Sequence, residues 1–324
     1  MRTSEFLRAL PKAELHLHIE GAVPWALVRA ASPEPLPEHP EWWADRFTFD
    51  SFDHFRRGAR IIHRCCLTTT EQYASGAAAI FAGLVAQNVR YVELSFDAEL
   101  AARRALPFAS VVAAIKSAVP RGLAVRAVGA FSYHKRDRTT PALVDGLLSA
   151  PGLDGIDLHG DGALGGAAYF ADAFAEAQHR GLMTKAHAGE LAGPESVSEV
   201  LDALGVKRIE HGIRAVEDER VLARLVEEDV TLDVCPSSNA KLRVVPDLAS
   251  HPMRLLDARS VRVTANTDDP TIFGHTLTDE LARLIDVLGF SPADVARFQI
   301  HAFEAARVTE TERARVLDEI RTLV

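Results

Sequence analysis

The sequence predicts one α/β domain over residues 1–324, folded as a (β/α)₈ TIM barrel with extra helices. Three observations predict it. Short apolar, β-branched runs alternate with longer amphipathic stretches along most of the chain. There are eight such runs. With 48% hydrophobic residues in 324, the chain can bury one large core. Strands alternating with helices imply parallel pairing, and eight units can close on themselves; an open doubly wound sheet is the other arrangement of the same units.

The strand runs are residues 14–19, 89–96, 123–130, 155–158, 182–186, 207–210, 230–234 and 261–265. Helices are expected between them, and several carry start signals. Thr68 followed by Glu71 reads as a capping box. Thr140-Pro141 and Gly193-Pro194 each put proline at a first helical position. Residues 31–50 hold Pro33, Pro35, Pro37 and Pro40 beside Trp42 and Trp43, too proline-rich for a helix, and read as a loop excursion after the first strand. Residues 291–306 and 309–323 read as added helices packed outside the barrel.

Composition excludes several classes. Lys and Arg number 36 against 45 Asp and Glu, a net charge of −9, which argues against nucleic-acid or anionic-membrane binding. Three cysteines, Cys65, Cys66 and Cys235, cannot form a disulfide framework and fit a reducing compartment. The first residues lack the apolar run of a signal peptide. The longest apolar stretch, residues 76–86, is far short of the roughly 20 residues that span a bilayer. A cytoplasmic protein is expected.

The chemistry begins in the first strand, Glu14-Leu15-His16-Leu17-His18-Ile19-Glu20. Strand alternation puts His16, His18 and Glu20 on one face and Leu15, Leu17 and Ile19 on the other. Two imidazoles at i and i+2 can grip one metal ion. A solvated edge strand or a pair of hydrogen-bonded core histidines gives the same pattern. Three further clusters follow: His187-Ala188-Gly189-Glu190 after the fifth strand, Glu210-His211-Gly212 ending the sixth, and Asn266-Thr267-Asp268-Asp269-Pro270 ending the eighth. Each sits at the carboxyl end of a strand, the rim where barrel active sites assemble. Three histidines and a carboxylate suit a catalytic zinc that keeps a position for water, and a second carboxyl can exchange the proton the reaction needs.

The string Leu10-Pro11-Lys12-Ala13-Glu14-Leu15-His16-Leu17-His18-Ile19-Glu20-Gly21 resembles the opening of the adenosine deaminase family of metal-dependent amidohydrolases. The motifs Gly155-Ile156-Asp157-Leu158-His159-Gly160-Asp161, His187-Ala188-Gly189-Glu190, Glu210-His211-Gly212, Cys235-Pro236-Ser237-Ser238-Asn239 and Asn266-Thr267-Asp268-Asp269-Pro270 follow in family order. The resemblance implies a barrel with one zinc per subunit, held by His16, His18, His187 and Asp268. It makes Glu190 the proton donor to purine N1 and His211 the residue that orients and helps deprotonate the attacking water. Catalysis is thus assigned to Glu190, His211 and Asp268. Substrate contacts are assigned to His18, Glu20, Gly160 through its backbone, and Asp269 at the N7 side. The implied reaction is hydrolytic loss of ammonia from C6 of a 6-aminopurine nucleoside, adenosine or an adenosine-like compound. The P-C-x-x-C half of the cytidine-type deaminase signature is absent, so that signature is not met.

Departures bear on the substrate. Adenosine-specific members carry Asp where this chain has Glu20, while members with Glu there include adenine deaminases and enzymes acting on aminodeoxyfutalosine. The adenine type usually has a serine-rich segment after the fourth strand, where this chain keeps the nucleoside-like Gly160-Asp161. The nucleoside is therefore expected, with aminodeoxyfutalosine and free adenine as alternatives. A binuclear phosphoesterase or amidase would commonly need a bridging lysine after the fourth strand, where His159-Gly160-Asp161 stands. A non-catalytic binding protein has no need of the full ligand and proton-transfer set present here.

Among the remaining residues, Trp42, Trp43, Phe47, Phe49, Phe52 and Phe55 read either as an aromatic lid or as loop-anchoring core. Cys65-Cys66 reads as helix packing. His134, Lys135 and Arg136, after the third strand, read as a solvated loop with a substrate contact as the other reading, and Cys235-Pro236-Ser237-Ser238-Asn239 as a wall of the site.

Overall fold

The computed structural model describes residues 2–160 and 162–324; Met1 and the Asp161 of the nucleoside-like motif lie outside the described residues. All eight expected strands form: β1 (Lys12–His18), β2 (Val89–Asp97), β3 (Ala124–Ser132), β4 (Gly155–His159), β5 (Met183–Ala188), β6 (Arg208–His211), β7 (Thr231–Val234) and β8 (Arg262–Ala265). They pair in parallel and in chain order, from β1 to β8. Just beyond β8, Asp268 bridges back to β1: its N–H donates to His16 O at 3.0 Å, and its carbonyl accepts from His18 N–H at 3.1 Å. Asn266 Oδ1 extends the seam by accepting from Leu15 N–H at 2.8 Å. An open sheet is thereby excluded, and the barrel is nearly closed.

Alternation along β1 sends Leu15 and Leu17 towards the helix layer, where both are at most 1% exposed. Burial of each such side chain contributes roughly 1.5–3 kcal/mol. Thr140 and Gly193 cap their helices with Pro141 and Pro194 in the first turn, as expected. The cap at the helix Thr70–Ala86 is one residue later than expected. Thr69, in extended conformation, accepts from Gln72 N–H, whereas Thr68 donates through its N–H and hydroxyl to Gln72 Oε1. A cap must have non-helical backbone and reach the third amide ahead; Thr69 satisfies both.

Between β1 and the helix Phe52–Cys66, the proline-rich segment is a loop holding one short 3₁₀ turn, Glu41–Trp43, after the helix Trp25–Ala31. Of the two C-terminal helices, Pro292–Ala305 lies directly on β1 and β8. Gln299 Oε1 accepts from Ala13 N–H at 2.9 Å, so this helix covers the barrel seam as part of the surrounding ring. The last helix, Glu310–Arg321, packs on it.

Candidate active site

Several inward positions of the barrel carry charge. Arg208 on β6 lies 3.3 Å from both oxygens of Glu93 and donates to Asp233 through Nε at 2.9 Å. Lys185 on β5 lies 3.8 Å from Glu93 and 2.8 Å from Glu210, and also donates to Leu15 O at 2.9 Å. Such a network gives up much hydration, so its members need their partners held in place. Its upper end does local work. Glu210 Oε2 sits 2.8 Å from His187 Nδ1, which fixes that ring and leaves Nε2 as the nitrogen open to a ligand. Burial opposes charge on His187, but Glu210 and Asp157 outweigh it and raise its pKa well above the ordinary histidine value.

Above this floor His16, His18 and His187 bring their ligand atoms together with Glu210, all within 4.8 Å of one another, and Asp268 lies against the first two. His16 Nε2 and His18 Nε2 are 3.2 Å apart, and Asp268 Oδ1 lies 3.5 and 3.4 Å from them. The His187 ring centroid is 4.9 Å from that of His16 and 5.2 Å from that of His18. His16 Nδ1 lies 3.2 Å from Asp233 O, a contact that places its proton on Nδ1 and leaves the Nε2 lone pair facing the cluster. Burial holds His16, His18 and His211 well below the ordinary histidine value. Burial also raises Asp268 to about 6, with His187 opposing it. The neutral imidazoles of His16 and His18 and one carboxylate, with ligand atoms this close, suit a divalent transition metal. Glu210 Oε1, 3.7 Å from His16 Nε2, borders the same locus.

The expected proton-transfer residues stand beside it. His211 Nε2 lies 3.5 Å from Glu190 Oε1 and 4.0 Å from Asp268 Oδ2, and Asp268 Oδ2 accepts from Ser238 Oγ at 2.8 Å. His211 and Asp268 both have positive φ, 66° and 63°. Such backbone is uncommon outside glycine and costs about 1–3 kcal/mol, a strain the strand ends and the β1 seam sustain.

Glu20 corrects one expectation. β1 ends at His18, and Ile19–Ala22 forms a helical turn, so Glu20 does not share the strand face of the two histidines. It still reaches the site, accepting from Asp97 N–H at 2.9 Å, and burial with the Asp97 charge raises its pKa to about 8. Gly160 and Asp269 also line the cavity, which encloses about 320 Å³. Gly160 has φ +97°, and a Cβ there would lie 3.0 Å from His134 Cδ2. A Cβ on Gly21 would lie 1.7 Å from Asp269 Oδ1, so glycine is required for that carboxyl to sit where it does.

Several site residues escaped sequence reasoning. Lys135 is not solvated: it pairs with Asp97 inside the cavity wall. The Ser237–Asn239 segment does more than shape a wall, because Ser238 holds Asp268 and Asn239 bridges His211 to His251. Phe52 and Phe55 line the cavity, with Phe52 stacked on His134 at 5.5 Å, whereas Phe49 belongs to the core. Charged residues inside otherwise apolar strands, Glu93, Lys185, Arg208 and Asp233, were the available signal for the network beneath the site.

A parallel eight-stranded barrel with histidines, carboxylates and a cavity at the strand ends is the arrangement of a metal-dependent amidohydrolase. The adenosine deaminase family model matches residues 11–323, and the chain belongs to that family. It is 33% identical over 329 residues to an adenine deaminase from Sphingopyxis alaskensis, covering 97% of this chain and 95% of the relative. The crystal structure of an adenine deaminase from Arthrobacter aurescens superposes with a TM-score of 0.88 at 30% identity, covering 97% of this chain and 98% of that one. An amidohydrolase from Burkholderia ambifaria, with zinc bound, gives 0.86 at 25% identity, covering 99% and 93%.

Proposed function

We propose that this chain deaminates a 6-aminopurine hydrolytically at C6, with free adenine as the substrate its relatives support. The nucleoside expected from Gly160-Asp161 has less support from those relatives, which are named adenine deaminases. The observation that carries the reading is the approach of Glu190 and Asp268 to His211, within 4.0 Å of its Nε2, beside His18 and His187 on one cavity floor.

His16, His18, His187 and Asp268 would hold the metal, with zinc the ion that suits the donor set and the zinc-bound neighbour. Bound there, zinc would supply Lewis acidity and bring the pKa of water towards neutrality. Asp268, raised to about 6 by burial, is poised to accept a proton from the attacking water. Glu190 delivers a proton to purine N1, so the ring can take up electron density as C6 is attacked. Asp269, whose carboxyl is held well above the ordinary value by burial and the Asp268 charge, would contact N7.

His211 takes its role from its neighbours. Met253 N–H donates to His251 Nδ1 at 3.2 Å, which leaves the His251 proton on Nε2, 3.1 Å from Asn239 Oδ1. The Asn239 amide then donates to His211 Nδ1 at 3.2 Å. Assigned outward from a backbone N–H, whose donor role is fixed, this chain puts the His211 proton on Nε2. His211 therefore orients the water and the developing negative charge as a donor, and the base is Asp268.

A second reading, a nucleoside, is favoured by the cavity's extension beyond the histidines to the helix Phe52–Cys66. Ammonia release from adenine, adenosine, 2′-deoxyadenosine, methylthioadenosine and aminodeoxyfutalosine ranks the two. The highest kcat/KM on adenine supports the first reading, and on a nucleoside the second. No release from any of them overturns both.

A further inference from the structure

The cavity is electrically polarised. Its floor carries Glu20, Asp97, Glu190, Asp268 and Asp269, while its mouth carries Arg56, Arg60, Arg64, Arg103 and Arg104. In a chain with net charge −9, five guanidinium groups around one opening are a local reversal of sign. Arg56, Arg60 and Arg64 follow one another at intervals of four in the helix Phe52–Cys66, so they stack along one face. Like charges at that spacing repel. Asp53 lies 3.3 Å from Arg56 and 4.0 Å from Arg60, and Arg104 donates to His63 O at 2.7 Å. Arg64 and Arg103 make no ion pair among the described residues, although both line the mouth.

A free base would not use this region. Adenine bound with C6 at the floor is uncharged and has no group to present to the guanidiniums. A nucleoside bound the same way projects its sugar up the cavity, past Phe52 and Phe55 on the same helix, towards them. Planar guanidiniums match carboxylate and phosphate oxygens in pairs, which ordinary uncharged hydroxyls cannot exploit.

We propose that the mouth is a subsite for an anionic group, a phosphate or a carboxylate, on the sugar side of a 6-aminopurine nucleoside, with Arg64 and Arg103 as its main contacts. The proposal rests on the nucleoside form of the deaminase reading. It accounts for a row of repelling arginines at the entrance to an otherwise acidic site. Anion and purine are then read at opposite ends of one cavity.

The test compares adenine, adenosine, adenosine 5′-monophosphate and adenosine 5′-carboxylate as substrates of the metal-loaded protein. At least one anionic nucleoside should exceed adenosine in kcat/KM by about 10-fold or more, and the arm that does so separates phosphate from carboxylate. Arg64→Ala and Arg103→Ala should each cut that ratio by about 10-fold, Arg64→Lys by less, and Arg57→Ala, outside the lining, should leave it unchanged. Equal kcat/KM for adenosine and both anionic compounds, or an unchanged ratio in both alanine variants, overturns the subsite. Calorimetric binding of the same compounds to wild type and the two alanine variants decides the subsite separately from turnover. If every 6-aminopurine fails to react, the deaminase reading falls, while tighter binding of an anionic nucleoside that is lost in the variants still upholds the subsite.

Discussion

The side-chain nitrogen of Asn239 lies 3.2 Å from His211 Nδ1, so an amide on the turn after β7 sets which nitrogen of His211 carries the proton. Without that donor the ring is free to adopt the other tautomer and to tilt. Asn239→Ala should keep its metal and lower kcat by roughly 10- to 100-fold, the usual range for removing a partner that orients a site residue. Metal content and kcat measured on the same sample check this. Unchanged kcat would show that His211 needs no such support.

His251 extends the same relay and gives it a pH signature. It is 4% exposed, its Nδ1 accepts from Met253 N–H, and burial lowers its pKa to about 4. The unfolded chain takes up this proton near pH 6.5, whereas the folded chain resists it until about 4. Stability from this group is complete above pH 6.5 and is lost as pH falls towards 4. The loss is on the order of 3 kcal/mol across the window. Urea unfolding near pH 7 and near pH 5 should show the drop, and His251→Gln should show a smaller one. Equal slopes for both proteins would remove His251 as its source.

The metal site should behave as one set. Replacing His16 or His187 with Ala is expected to remove most bound metal and nearly all activity, because each would supply a nitrogen to the proposed four-ligand cluster. Metal analysis after gel filtration reads this out. A full equivalent retained by both variants would break the ligand assignment.

Glu190→Gln should retain fold and metal while turnover drops by about 10²- to 10⁴-fold, since an amide cannot exchange a proton with N1. Near-normal turnover would move that role to another group.

What the sequence reveals here follows from how locally each feature is encoded. The eight strands are legible because each is a short apolar run, and His16, His18, His187, Glu190, His211 and Asp268 because their motifs sit at strand ends. The support beneath them is not, because Glu93, Lys185, Arg208 and Asp233 come from four strands and meet only in the closed barrel. Glu20 was misplaced by extending a period of two past the point where β1 turns helical. Lys135 read as solvated because its partner Asp97 lies 38 positions away at the end of β2.

The most direct measurement follows adenine or adenosine incubated with purified, metal-loaded protein, quantifying ammonia and the 6-oxopurine together. One ammonia per 6-oxopurine is expected, with both products lost when the metal is chelated and sharply reduced in Glu190→Gln. Absence of 6-oxo product from either compound, and from any other 6-aminopurine offered to the metal-replete protein, would contradict hydrolytic deamination as its reaction.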